Sequence, residues 1–477
     1  SWENTSLNVL AFTVNVASKP AGDHRIYVLL SSPTGGAVLH LADATLAYGI
    51  IDDNTIAISN AIFIDAGAAT NGTGTQANPY NNWYSGRDAV VSTTRFVYIK
   101  GQMVPNGTET GGGDPNTKFL DLGPNFTGRT SESQRTVIRN WPTFVGGIDG
   151  GSQTDVSGFY ADENISYTTF KGLTITDLDT STLSTATGKC YYLWCRGSGD
   201  FITTENVSID GIVNGAQAAS AAWFIDGGGQ NGYKLWNTTI SNADKVAVET
   251  YRVNNFSMQK VTLLNCGQGI YQKSSGTGHT ALSLRFIDFG TSAARFSGQS
   301  GATPSSHSII QHCVFANTDQ VIGNDQIRFD YVSSSAGSSD KHWIVGNVFY
   351  NYDYSTLASI RVEKSAFEDV QIFNNIFLLS DRPWRFDQNS PEISNYNTYW
   401  DAGTSMEFED NNVAYSSLAA LQAATSFEAN AVNSDPLFTN VSLKNFTLQG
   451  GSPSLTSGVD GTQQGLYLGN FYTVGAS

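Results

Sequence analysis

Between Ile225 and Gln388 one short pattern recurs, in which a charged residue stands between apolar ones. Its copies are FIDG (224–227), VETY (248–251), QKSSG (272–276), ARFSG (294–298), IRFDY (327–331), IRVEK (360–364) and WRFDQ (384–388). Aligned on the charge, Asp226, Glu249, Lys273, Arg295, Arg328, Arg361 and Arg385 are separated by 23, 24, 22, 33, 33 and 24 residues. Alternation over a few residues marks a half-buried strand, and recurrence over a few tens of residues marks a solenoid. A single repeat cannot bury its apolar face, so successive coils must stack. Two positions further along each strand a second column reads Gly228, Tyr251, Ser275, Ser297, Asp330, Glu363 and Asp387. The intervening residues Ile225, Val248, Ala294, Phe296, Ile327, Phe329, Ile360, Val362, Trp384 and Phe386 are the predicted core, because residues two apart on a strand share a face.

Composition agrees with an all-β chain. The charged fraction is 14%, while the 477 residues include 48 Gly, 21 Tyr and 26 Phe. A net charge of −16 excludes a nucleic-acid partner, which needs a basic surface. No apolar run is long enough to span a bilayer, so no membrane partner is expected. Cys190, Cys195, Cys266 and Cys313 fit no zinc spacing; Cys190 and Cys195 are near enough to pair, but buried thiols are the simpler expectation.

Residues 1–55 read as the last strands of a β-sandwich, with FTVNVASKP, RIYVLLSSPTGGAVL and ATLAYGIIDDN separated by turn residues. LSSPTGG followed by YGIIDDN resembles the end of a Calx-β domain, with Asp52 and Asp53 at its acidic edge. From Ala61, IFIDAGAATNGTGTQANPYNNW resembles the opening of secreted right-handed parallel β-helix proteins of the pectate-lyase-like superfamily. SGRDAVVSTT is then expected to supply a cap, and FVYIKGQMV a first strand. The resemblance implies an all-β fold: a right-handed parallel β-helix over 56–400 with a small β-sandwich remnant before it. Residues 401–477 resemble the terminal segment of bacterial extracellular β-helices, with the helix SLAALQAAT covering the last coil so that no sheet edge is left open. A secreted or cell-surface bacterial monomer follows. Asn237, Cys313, Asn347, Asn375 and Asn397 each open a strand and are expected to form one internal stack, with Cys313 in an asparagine slot. The long insertions GQSGATPSSHS and YVSSSAGSSDKHW are expected to wall a groove.

Like charges one strand apart repel by about 1 kcal/mol per neighbour in a water-like dielectric. Asp330, Glu363 and Asp387 are placed to compensate Arg328, Arg361 and Arg385. Those six residues are either an ion-pair lattice or substrate contacts, arginine being suited to grip carboxylate or sulfate. At Lys273 the column changes sign between Glu249 and Arg295, and a lysine beside positive charge can serve as a base. Lys273-Ser274-Ser275 followed by Arg295 resembles the Lys-Ser-Ser and Arg pair of the alginate lyase and chondroitinase B family. That resemblance implies Lys273 as Brønsted base and Arg295 as its partner in β-elimination from a uronate, with Glu249, Tyr251 and Asp226 lining the site. The family's histidine after the arginine is Phe296 here, and its calcium-binding acids before the lysine are missing. Asp226 and Glu249 are the candidates for calcium in their place; no other cofactor is implied.

The expected partner is therefore an anionic polysaccharide and the expected activity that of a polysaccharide lyase. A glycoside hydrolase is the alternative, because Asp226 with Glu249, Asp330 with Glu363, or Asp330 with Asp387 could form a carboxylate pair. His279 or His342 could act as another base. A non-catalytic polysaccharide-binding adhesin is the third reading.

Overall fold

The computed structural model describes the backbone of His24–Val28 and Ala47–Ile51 and residues 59–466, apart from 106–117, 152–155, 162–164, 180–190, 197–198, 214–220, 274–275, 299–305, 318–324, 332–340, 353–356, 364–365 and 402–405. Its strands wind into a right-handed parallel β-helix with three faces. The first face runs from Ala61–Asp65 to Ile393–Asn395, and the second from Gly146–Asp149 to Val432–Asn433. Phe96–Met103 bends and pairs with both, which joins them into one sheet of 23 strands. The third face has 12 strands, from Lys118–Asp121 to the closing antiparallel pair Phe408–Asp410 and Val413–Tyr415.

Parallel stacking puts equivalent residues of successive coils above one another, and the interior shows it. Phe286, Phe315, Phe349, Phe377 and Tyr399 form one aromatic column inside the second face, with ring centroids 4.7, 4.9, 4.7 and 5.1 Å apart. Offset ring stacking adds to simple area burial. Every core residue expected on the third face, from Ile225 to Phe386, is buried.

The asparagine stack forms where expected, with one change. Asn375 accepts from the Asn347 backbone N–H at 2.9 Å, Asn397 accepts from the Asn375 N–H at 2.9 Å, and Asn347 accepts from the Cys313 N–H at 2.8 Å. Cys313 thus fills an asparagine slot. Asn237 does not: it is one residue early, at a φ of 44°, and donates outside to Asn206 at 2.7 Å. The equivalent slot is held by Thr238, whose carbonyl bonds the next coil as the Cys313 carbonyl does. The stack ends on Glu428, which is fully buried and accepts from Asn397 at 2.8 Å and the Tyr399 hydroxyl at 2.6 Å.

The first cap helix is Trp83–Asp88, shorter and earlier than expected, because Asn82 caps it by accepting from the Ser85 N–H at 2.9 Å. The second is Leu418–Ala424, capped by Ser417, and its Leu418 and Leu421 join the main core. The chain then returns along the outside of the second face, where Phe438, Phe446 and Leu466 pack on Ile287, Val348 and Ile376. His24–Val28 and Ala47–Ile51 pair antiparallel; the other residues of 1–55, on which the resemblance to a Calx-β domain rests in part, Asp52 and Asp53 included, lie outside the described residues. Cys195, Cys266 and Cys313 are buried free thiols, and Cys190 lies outside the described residues.

Candidate functional site

Backbone pairing sets the third face's register and corrects the expected columns. Phe224 pairs with Glu249, Glu249 with Tyr271, Tyr271 with Arg295, and then Arg295, Arg328, Arg361, Arg385 and Glu409 follow in line. Asp226, Tyr251, Lys273, Ser297 and Asp330 form the second column. Asp226 and Lys273 therefore stand two residues from their expected positions, and Tyr271, not Lys273, lies between Glu249 and Arg295. The slip arose because Gln272 points inward, at 3% exposure, where the alternation rule expects an apolar residue. Asp226, not Gly228, pairs with Tyr251, and a register shift follows between Asp226 and Gln230. The side chain of Asp226, and the residues Ser274 and Ser275, lie outside the described residues.

The outward-pointing side chains are sheltered by one another. Asp330 joins Arg295 at 2.7 Å to Arg328 at 3.2 Å, and Glu363 joins Arg328 at 2.6 Å to Arg361 at 3.2 Å. Asp387 joins Arg361 at 2.8 Å to Arg385 at 2.5 Å, and Glu409 joins Arg385 to Arg382, each at 3.3 Å. Asp330, Glu363 and Asp387 thus each bridge the arginine of their own coil to that of the preceding coil, and Glu409 holds two arginines of the preceding coil, which offsets the repulsion of a like-charged column. Burial pulls the Arg295 and Arg361 guanidinium groups down, but Asp330 for one and Asp387, Asp325 and Glu363 for the other more than restore them. Burial pushes the Asp387 carboxyl up, and Arg385 and Arg361 outweigh it to hold the group below its ordinary value. The buried Asp325 is pushed up by burial; the Ala358 N–H and the charges of Arg361 and Arg328 offset this only in part. Sequence reasoning missed Asp325, Arg382 and Glu409, although Glu409 follows the same alternation in MEFED (406–410), whose strand is Phe408–Asp410.

At the other end the ladder gives way to a different cluster. The Lys273 ammonium is ion-paired with Glu249, whose side chain is 3% exposed. Lys273 Nζ also lies 4.5 Å from the centre of the Tyr271 ring, and Arg295 Cζ lies 4.7 Å from it. Tyr271 thus contacts two cations from its own coil and the next, a favourable use of its quadrupole. Arg295 is the most exposed ladder arginine, at 30%. Arg252 Cζ stands 4.6 Å from the Tyr251 ring on the preceding coil. Tyr271 was not singled out from the sequence; the inward neighbours Ile270 and Gln272 are the signal that places it outside.

His279 and His342 do not face this surface. Both point into the solenoid, at 4% and 0% exposure, because they occupy inward positions of the first face beside Ser308. Of the two residues expected to hold calcium, Glu249 holds an ammonium and the Asp226 side chain lies outside the described residues; no three histidine, cysteine or acidic side chains converge among the described residues. No helix among the described residues is long and apolar enough to cross a membrane.

No known family's sequence description matches the chain, and no curated protein does. Among solved structures it is similar to one titled "Crystal structure of pectate lyase Pel9A", at 12% identity and a TM-score of 0.42, over 88% of this chain and 95% of that one.

Proposed function

We propose that the chain is a polysaccharide lyase that cleaves a uronate-containing glycan by β-elimination at the junction of Glu249, Tyr271, Lys273 and Arg295. The observation that supports this reading is the joint contact of Lys273 and Arg295 with Tyr271, at the point where a compensated ladder ends. β-Elimination needs the uronate carboxylate neutralised, the C5 proton removed and the C4 oxygen protonated as its bond to C4 breaks. Arg295, with part of its guanidinium open to solvent, binds the carboxylate. Lys273, held at the site by Glu249, is the Brønsted base that takes the C5 proton. Tyr271 lies between the cationic groups and donates toward the departing oxygen. Tyr251 and Asp226 line the same column, and Arg328, Asp330, Arg361, Glu363, Arg385 and Asp387 line the path of an extended acidic polymer. The sugar chain is thereby an anionic polysaccharide outside the cytoplasm.

A panel of alginate, pectate, chondroitin, ulvan and sulfated fucan, followed by ultraviolet absorbance and by reducing ends, tests the proposal. Unsaturated product from one uronate polymer, lost in Lys273→Ala and Arg295→Ala, is the expected result. New reducing ends without absorbance, lost in Asp330→Asn or Glu363→Gln, would replace the lyase with a hydrolase. Binding to a polyanion without cleavage would leave an adhesin.

A further inference from the structure

Directly beneath the candidate site the solenoid interior is incompletely filled. A small cavity lies between the third-face strands Gln268–Lys273 and Ala294–Gly298 and the first-face strands Thr277–Leu282 and Ser306–Gln311. Most of its wall is apolar, with Phe256, Met258, Ile270 and Phe296 among its lining residues. Four polar residues also line it, of which Gln272, His279 and Ser308 are buried at inward strand positions and Thr280 is not. The centre of a water molecule can move through about 10 Å³ of this space, which is about the room that one ordered water needs.

The polar groups there are poorly served by the protein. Neither ring nitrogen of His279 has a hydrogen-bond partner within the protein, and neither has the Ser308 hydroxyl. His279 and Ser308 are register partners on adjacent strands, so both project from one wall into the same space. The Gly276 backbone passes close to one ring nitrogen, since a Cβ there would stand 2.9 Å from Nε2, and its attraction for a protonated imidazole only partly offsets burial. An unpaired buried polar group costs as much as a lost hydrogen bond, and three in one cavity are costly unless something joins them. A dry cavity is apolar; a cavity with two or more convergent polar atoms holds water.

We infer that this cavity is an internal hydration site, in which one water bridges His279 to Ser308 beneath the strands that carry Tyr271, Lys273 and Arg295. The water donates to or accepts from a His279 ring nitrogen and the Ser308 hydroxyl, with the Gln272 amide as a third neighbour. His279 stays neutral in this setting, because burial pushes its imidazole down to about 3, and a neutral ring offers one donor and one acceptor. Bridged in this way, Gln272 and its strand are tied across the core to the opposite face.

Two measurements test the inference. A high-resolution crystal structure of the protein is expected to show a density peak within hydrogen-bond distance of a His279 ring nitrogen and the Ser308 hydroxyl; an ordered ring with no such peak overturns it. Thermal unfolding of His279→Phe, Ser308→Ala and the double variant supplies the second. With a bridging water, each single change lowers Tm by about 2–4 °C and the double variant falls clearly short of their sum. A dry cavity predicts the reverse for His279→Phe, a higher Tm, because an apolar ring would then replace an unpaired polar one. That outcome, or strict additivity, overturns the inference.

Discussion

Replacing Arg361 by methionine tests what the charge ladder contributes to the third face. Arg361 has three acidic partners: Asp387 at 2.8 Å, Glu363 at 3.2 Å and Asp325 at 3.8 Å. Methionine preserves much of the chain length and removes the charge. Asp387 keeps Arg385 at 2.5 Å and Glu363 keeps Arg328 at 2.6 Å. Asp325, fully buried, keeps the Ala358 N–H at 2.7 Å. A unit-charge pair at the Arg361–Asp387 distance is worth about 6 kcal/mol at an effective dielectric near 20, before desolvation is subtracted. Removing one partner of a buried pair costs about 3–5 kcal/mol. Because two of the three acids retain an arginine, the lower end applies, about 3 kcal/mol at pH 7.

The pH dependence separates this account from a loss of packing. Asp387 is held below its ordinary value, so it adds stability above the unfolded carboxyl value and loses that contribution as the pH falls through the folded one. Asp325 is held above its ordinary value and favours folding only while protonated, so removing Arg361 penalises it more at neutral pH than in acid. Both effects have the same sign. The difference between variant and parent should shrink from pH 7 toward about pH 3, below the ordinary carboxyl range. Urea unfolding followed by circular dichroism at both pH values measures it. A loss below about 1 kcal/mol at pH 7, the range of exposed pairs, or one that stays constant on acidification, refutes the reasoning.

The protein should lose stability in acid through His279: its imidazole is pushed down to about 3 while the unfolded ring titrates near 6.5, so only the unfolded chain takes up the proton as pH falls between them. The slope approaches about 1.4 kcal/mol per pH unit, and His279→Gln should remove it from the pH profile of urea midpoints. Asn375→Ala should cost about 3 kcal/mol, since its side chain donates to the Ile344 and Phe373 carbonyls and accepts from the Asn347 N–H in a fully buried stack. Cys313→Asn, by contrast, extends that stack by one rung and should leave Tm unchanged or raise it, as read by calorimetry. On the proposed activity, Tyr271→Leu should lower kcat/KM at least about 10-fold through loss of the ring that contacts both cations, with the fold intact by circular dichroism.

The solenoid was legible because its evidence is periodic. Coil length, inward apolar residues and the run Cys313, Asn347, Asn375, Asn397 all recur, and stacking turns recurrence into contact. Register was less legible where the period is interrupted. From Arg295 to Arg385 each strand has the form apolar, arginine, apolar, and the expected column is the observed one. At QKSSG the inward position is Gln272, so charge was a poor guide and Lys273 was aligned with the wrong neighbour. Asn237 failed for a related reason: an asparagine beside the slot looks like one within it, and only backbone pairing shows that Thr238 fills it. His279 and His342 were candidates for another base because they lie beside loop-like sequence; their inward direction follows from alternation with Ala281 and Ile344, which the polar residues around them obscured.

The corrected register changes how charge is distributed along the proposed substrate path. Had Lys273 stood in the arginine column, the row of cations would have run from Lys273 to Arg385; in the observed register it begins at Arg295. Asp330, Glu363, Asp387 and Glu409 each hold two arginines. An acidic polymer lying there must compete with carboxylates already in place, which gains little net energy for each contact. At Tyr271 the competition is weaker, because Arg295 shares Asp330 with Arg328 and is the most exposed rung at 30%. A uronate carboxylate approaching Arg295 therefore meets the least compensated cation of the ladder, beside the tyrosine and lysine assigned to the chemistry. If that is the binding point, Arg295→Lys, which forfeits bidentate contact, should raise KM for a uronate polymer more than Arg385→Lys does. Equal effects would mean that the polymer is gripped along the whole ladder.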